Sequence, residues 1–290
     1  MRISPAKLLS RLSTAIAMAT LATVFYAGAA YAQDDDHDVP RLVSFGGVCS
    51  NCELSGRKLT GARFFGASFA SATLVGADLR GATFFGSNFG RADLSHADLR
   101  GASLTASNFM LANFSGANLA GLQARGVTFM QANLSRANLE SAELHGANLA
   151  EVNASDAQFN GAELTICNLS GGRFERASFK GADLTGSILN DSNFAGADFR
   201  GADLVSASLS GADLSGARGL TQDQLDHACG NGQTRLPAGL TVKVCPTGPH
   251  VIILRAPLAP HAPLAAPPAP PAPPALPAPV VRYLLPIEPR

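Results

Sequence analysis

Residues 72–81 read Ala72-Thr73-Leu74-Val75-Gly76-Ala77-Asp78-Leu79-Arg80-Gly81. These are two copies of one five-residue unit, with Leu at its centre. Stepping outward by five from Leu54 to Leu214 gives 33 positions, of which 19 are Leu and 12 are Phe. Ala124 and Ala154 are the two exceptions. Neither an α-helix nor a flat strand has a period of five. Five residues must make one side of a coil, with one large apolar side chain pointing inward. A strict short repeat of this kind predicts a solenoid.

Within a unit the positions divide by chemistry. Two residues before the centre the side chain is small, as in Ala62, Ala67, Ala72, Ala77 and Ala82. One residue before, it is polar, as in Asp78, Asp93, Asn113, Asn118 and Asp183. Two residues after, Gly is frequent, as in Gly56, Gly61, Gly66 and Gly76. Strand alternation puts the centre and its minus-two neighbour on the same inner face. Glycine at plus two lets the backbone turn a corner without steric cost. The exceptions follow suit. Ala124 is preceded at minus two by Leu122, and Ala154 by Val152. Volume lost at one inward position returns at the other, as a close-packed interior requires.

The number of sides follows from the aromatics. Phe–Phe pairs among the centres at separations of 5, 10, 15, 20 and 25 number 5, 0, 4, 7 and 4. The maximum at 20 predicts four sides per turn, with like residues stacked. Phe69, Phe89, Phe109 and Phe129 form one expected stack, and Phe159, Phe179 and Phe199 another. At about 4.8 Å per turn, some eight turns make a column of roughly 40 Å.

Tandem units such as Ala77-Asp78-Leu79-Arg80-Gly81 and Ala117-Asn118-Leu119-Ala120-Gly121 resemble the pentapeptide repeat family. The resemblance implies an all-β fold, a right-handed quadrilateral β-helix. It also implies that some members, the gyrase-protecting ones, are acidic DNA mimics that bind a topoisomerase. The segment Leu220 to Cys245 is similar to a terminal element that follows such repeats in exported bacterial relatives.

The flanks complete the plan. Arg2, Lys7 and Arg11 precede an uncharged run from Leu12 to Ala32, and Ala30-Tyr31-Ala32 ends it. This reads as a signal peptide over 1–32, cleaved between Ala32 and Gln33, with an uncleaved anchor as the alternative. Export to a bacterial periplasm or beyond is the expectation, with no membrane span after cleavage. Residues 33–49 are an acidic lead-in and N-terminal cap, and 50–217 the repeat. Residues 218–245 form a C-terminal cap with a short helix over 222–228, started by a Thr221/Gln224 capping box and stopped at Gly230. Leu240 to Val244 alternates like a strand. Both ends being covered, end-to-end association is blocked. From Pro246 onward, 15 of 45 residues are Pro, so the tail over 246–290 is extended or disordered.

Net charge is zero, and 50–217 carries 15 acidic and 12 basic residues. A nucleic-acid binder would show basic excess, so none is expected to bind. Four cysteines form two candidate disulfides, Cys49–Cys52 and Cys229–Cys245, in keeping with an oxidising compartment. A redox role for Cys49-x-x-Cys52 lacks the surrounding βαβ pattern. A zinc site lacks two more ligands near it, since Cys229 and Cys245 fall at the far end of the column. Cys167 is at an inward minus-two position and should be a buried thiol.

Spacing by 20 also predicts outer columns. Glu143, Glu163, Asp183 and Asp203 should stack as an acidic stripe, either solvated or recruiting a cation or basic partner. Asn113, Asn133 and Asn153 should form an amide ladder. Arg80 and Arg100, with Lys180 and Arg200, should pair with Asp78, Asp98 and Asp198, adding little stability. Phe65, Phe85, Met110, Met130 and Leu111, with Ile188, are the outward apolar residues and the candidate partner surface. No catalytic constellation, phosphate loop or cofactor motif appears. The expected role is a non-enzymatic, exported scaffold whose partner is a protein. The topoisomerase mimic and a cysteine redox protein are the alternatives.

Overall fold

The computed structural model describes residues 43–246. The expected signal segment, most of the acidic lead-in and the proline-rich tail lie outside the described residues. The polar residue before each centre pairs in parallel with the residue 20 further on, as in Asp93↔Asn113↔Asn133↔Asn153 and Asp78↔Asp98↔Asn118↔Asn138. Four such columns run the length of the repeat. The chain is therefore a β-solenoid with a 20-residue turn.

Each pairing is a single rung rather than a long strand, because every side is only five residues wide. Three-residue strands occur on one side alone, β1 (Val43–Phe45), β2 (Arg63–Phe65) and β3 (Thr83–Phe85). They pair in parallel in the same register, Val43↔Arg63↔Thr83. Among the described residues the ladder is present from Val43, earlier than the boundary at 50 read from the repeat. The first two sides carry no Leu or Phe at their centres, with Ser44 and Cys49 in their place, so the apolar period does not reveal them.

The corners explain the period. The amide of most minus-two residues donates back to the preceding centre, as from Ala72 N to Phe69 O (3.0 Å) and from Ala77 N to Leu74 O (3.0 Å). The third residue of such a turn needs positive φ when the turn is of type II. Every plus-two residue from Asn51 to Gly211 has it. Fifteen of them are not glycine, including Leu111 at 62° and Ile166 at 57°. Glycine is the cheap solution at these corners, not the required one.

The core is a stack of like on like. All centres from Phe64 to Leu214 are buried, as are Leu122, Ala124, Val152 and Ala154. Both members of each compensating pair therefore face inward. Phe69 and Phe89 stack with centroids 4.7 Å apart, as do Phe89 and Phe109. Phe159 and Phe179 stack at 4.9 Å. Rings on adjacent sides meet edge to face, as Phe84 and Phe89 do at 4.9 Å. Quadrupole interactions favour both arrangements. A third exchange of volume occurs at Gly172, where an added Cβ would lie 2.5 Å from Phe174 Cε2.

Several minus-two positions carry buried hydroxyls that composition did not flag as special. Ser192 Oγ donates to Leu169 O (2.7 Å) and accepts from Gly172 N (3.2 Å). Ser107 and Ser187 likewise donate to Phe84 O and Leu164 O. Ser107 Oγ in turn receives Ser87 N (3.0 Å), and Ser187 Oγ receives Cys167 N (3.0 Å). These hydroxyls are small enough for the site and satisfy backbone groups of neighbouring turns.

The regular register ends at Asp198↔Arg218. Ser208 then pairs with Cys229, and Asp213 with Arg235, at separations of 21 and 22. Helix α1 (Gln222–Asp226) intervenes, with Thr221 as N-cap and the Thr221/Gln224 capping box formed. Gln224 Nε2 donates to the carbonyls of Phe199 (2.9 Å) and Ala202 (2.7 Å), and Leu225 is buried. The helix stops at His227 rather than 228, and Gly230 is not its stop signal. Gly230 belongs to β4 (Cys229–Gly230), paired in parallel with β5 (Lys243–Val244). A Cβ there would come within 2.8 Å of Thr234 Oγ1 and Val242 Cγ1, so packing is what asks for glycine. The strand expected over 240–244 is confined to its last two residues.

Candidate functional site

The outer columns are the surfaces on which this fold can act. On one side Asp78 accepts a bidentate pair from Arg80, Nε to Oδ1 at 2.8 Å and Nη2 to Oδ2 at 2.7 Å. Arg100 grips Asp98 and Arg200 grips Asp198 in the same way, with Lys180 3.6 Å from Asp198. Planar guanidinium suits this fork. The Arg80 and Arg200 guanidiniums hold the Asp78 and Asp198 carboxyls at about 2, chiefly by hydrogen bonding. This column is internally neutralised.

The next column round begins acidic and becomes an amide ladder. Asn113 Nδ2 donates to Asp93 Oδ1 (3.0 Å) and Asn133 Nδ2 to Asn113 Oδ1 (3.0 Å), with Asn153 continuing at 3.4 Å. Each Oδ1 also receives the amide two residues on, as from Ser115 N to Asn113 Oδ1 (3.1 Å). The Asn side chains are spent on holding turns together.

Glu143, Glu163, Asp183 and Asp203 are successive rungs of one column. Glu143 receives Arg125 Nη2 at 3.0 Å. Asp183 Oδ1 accepts from Thr185 N (2.9 Å) and Asp203 Oδ1 from Val205 N (2.8 Å). Glu163, Asp183 and Asp203 make no ion pair among the described residues. No group of three or more His, Cys, Asp or Glu among the described residues is placed to hold a metal ion.

The apolar candidates fall on two different corners. Phe65 and Phe85 are neighbours in register, and Phe85 is 52 % exposed while Phe65 is half-buried. Met110, Leu111 and Met130 lie at the following corner, where Leu111 N donates to Met130 O (3.1 Å). Leu111 is exposed and both methionines are half-buried. Ile166 and Val205, which the sequence reading did not single out, are exposed, as Ile188 is.

Both candidate disulfides are bonded, Cys49–Cys52 with Cα atoms 5.2 Å apart and Cys229–Cys245 at 4.7 Å. Cys49 takes the centre position above Phe69, with its amide on Ser68 O, and Cys52 takes the minus-two position above Ala72. Their bond spans the first tight turn and faces inward, Cys49 being buried and Cys52 half-buried. Cys229–Cys245 ties β4 to the end of β5. Cys167 is buried and free; burial pushes its thiol up to about 12. Its Sγ donates to Leu144 O at 2.9 Å.

Comparison with protein families finds a match to a model described as pentapeptide repeats, in eight copies spread over residues 48–121 and 129–216. The chain belongs to the pentapeptide repeat family. Among solved structures it is similar to HetL, a pentapeptide repeat protein involved in heterocyst differentiation regulation from the cyanobacterium Nostoc sp. strain PCC 7120. That match has 26% identity, covers 69% of this chain and 91% of HetL, and has a TM-score of 0.35. It is also similar to QnrB1, a plasmid-mediated fluoroquinolone resistance protein, at 22% identity, covering 66% and 91%, with a TM-score of 0.33. A third is Rfr23, a pentapeptide repeat protein from the cyanobacterium Cyanothece 51142, at 24% identity, covering 43% and 90%, with a TM-score of 0.21. A comparison with curated proteins finds no match. Membership of the pentapeptide repeat family accounts for the inward columns. It leaves the outward ones to be read residue by residue.

Proposed function

We propose that this pentapeptide repeat protein is a non-catalytic, exported scaffold that engages other proteins through its outer columns. In this reading it is a right-handed, four-sided tube of about eight full turns. Residues 218–245 close its C-terminal end. The observation that carries the scaffold reading is the division of labour in each unit: centre and minus-two residues are spent on the core, and the remaining side chains make flat, repeating walls. Gln224, Leu225 and the Cys229–Cys245 bond support the closing role, since they cover groups that another turn would otherwise meet.

Export is supported by the cationic start, the apolar run and Ala30-Tyr31-Ala32, together with two disulfides that an oxidising compartment favours. The topoisomerase-mimic reading is less well supported, because Asp78, Asp98 and Asp198 are already covered by basic side chains. A redox role for Cys49–Cys52 fits poorly with a bond that faces into the tube. The test is fractionation of cells expressing the full chain, followed by N-terminal sequencing and affinity recovery of envelope proteins. A periplasmic or secreted chain starting at Gln33 that recovers a protein partner is expected. Full-length chain retained in the cytoplasm would contradict the reading.

A further inference from the structure

One corner of the tube carries side chains that the fold itself does not call for. It follows Leu164, Leu184 and Leu204 on three successive turns. Ile166 stands at its plus-two position with φ 57° and is 50 % exposed. A β-branched residue in this backbone region costs roughly 1–2 kcal/mol, as the other corners without glycine do in kind. Ile166 leans over the next turn, where a Cβ on Gly186 would lie 3.6 Å from Ile166 Cγ1. Two residues past Gly186 is Ile188, 43 % exposed, in a column that has Asn168 before it and Ser208 after it. The carbonyl of Val205 receives Gly186 N (2.8 Å), and Val205 is itself exposed where the preceding turns have Thr165 and Thr185. Three exposed aliphatic residues therefore flank the level of Gly186 on three consecutive turns.

The wall leading into this corner is acidic. Glu163, Asp183 and Asp203 occupy successive rungs about 4.8 Å apart, three residues before Ile166, five before Ile188 and two before Val205 respectively. Their carboxylates meet no cationic side chain among the described residues, in contrast to the Arg-covered column of Asp78, Asp98 and Asp198.

We propose that this corner docks an extended segment of a partner protein in which a lysine or arginine and an aliphatic residue stand two apart, on the same face. The proposal rests on the scaffold reading and names its surface. Burying Ile166, Ile188 and Val205 rewards an apolar side chain, and the three carboxylates reward a cation within their reach. A purely cationic strand leaves the aliphatic group wet, and an acidic or neutral one leaves the carboxylates desolvated without a partner. A second copy of this chain meeting the corner through the same face sets acid against acid, so a basic partner is the better occupant.

The test uses the full mature chain and a fluorescent peptide with lysine and leucine two residues apart, serine between them, read by anisotropy. Saturable binding is expected. Ile166→Gly, Ile188→Asn and Val205→Thr together should weaken it about tenfold or more, as should Glu163→Gln, Asp183→Asn and Asp203→Asn together. Each aliphatic replacement either keeps the corner conformation or copies a neighbour in its own column, so the fold survives. Glu140→Gln with Glu151→Gln removes charge elsewhere and should change affinity less than about twofold. A lysine–serine peptide should bind about tenfold more weakly. Equal binding of the two peptides, or affinity unmoved by both sets of substitutions, overturns the proposal. If the variants still recover the wild-type envelope partner, the scaffold reading stands and this surface falls.

Discussion

Leu122 and Ala124, two residues apart on one side, both point into the tube and are fully buried. The large side chain has moved from the centre to the minus-two position. The total volume at that level is kept. Leu122→Ala should therefore open a cavity that neither neighbour can fill, at a cost of about 2–5 kcal/mol. Adding Ala124→Leu to the same chain should recover most of it. Urea unfolding of the single and double variants measures both.

The glycines divide into two kinds. Gly181 has positive φ and open space around a Cβ, so Gly181→Ala should cost about 1–2 kcal/mol from backbone preference alone. Gly172 lacks positive φ but lies under the Phe174 ring, so Gly172→Ala should cost about 1–3 kcal/mol through overpacking. Adding Phe174→Leu should relieve the second variant and leave the first unchanged, as thermal unfolding would show.

Asp198 gives the molecule an acid-sensitive rung. Hydrogen bonds from Arg200 lower its carboxyl from 3.8 to about 2. The folded value is below the unfolded one, so the stability it contributes is full above about pH 4. It is lost as pH falls toward 2. Because its partners are exposed, screening holds that contribution to about 1 kcal/mol. Asp198→Asn should remove this part of the loss of stability between pH 4 and 2, measured by denaturation across that range.

The two disulfides should separate by consequence. Cys229–Cys245 closes a loop of 16 residues, worth about 3 kcal/mol to whatever it ties down. Cys229→Ser with Cys245→Ser should raise amide exchange over 220–245 while the Asn113–Asn153 ladder stays protected. Uniform loss of protection along the column would contradict this.

Cys167 should be inert in the folded chain. Its thiol is buried, bonded to Leu144 O and pushed up to about 12. Iodoacetamide at mildly alkaline pH should leave it unlabelled until denaturant is added, without any reductant.

The sequence made the inward half of this molecule legible because one constraint is repeated at every turn. Phe89 must sit on Phe109, and Leu122 must answer Ala124, so each residue restates the period. Where the constraint lapses, reading fails. Ser44 and Cys49 hide the first two sides. Gly230 reads as a helix stop because packing against Thr234 and Val242 has no local signature. The outer columns are harder still, since a solvated Asp and a docking Asp look alike in one sequence. Ile166 was missed for a related reason: the corner rule names glycine, and only the backbone angle shows that isoleucine there is strained.

The central claim is the 20-residue turn, and paired nitroxide labels test it most directly. Labels at Asn148 and Asn168, adjacent rungs of one column, should show strong dipolar or exchange broadening at a spacing near 5 Å. Labels at Asn148 and Glu163, on different sides, should show much less. Stronger broadening for the second pair than the first would contradict the four-sided tube.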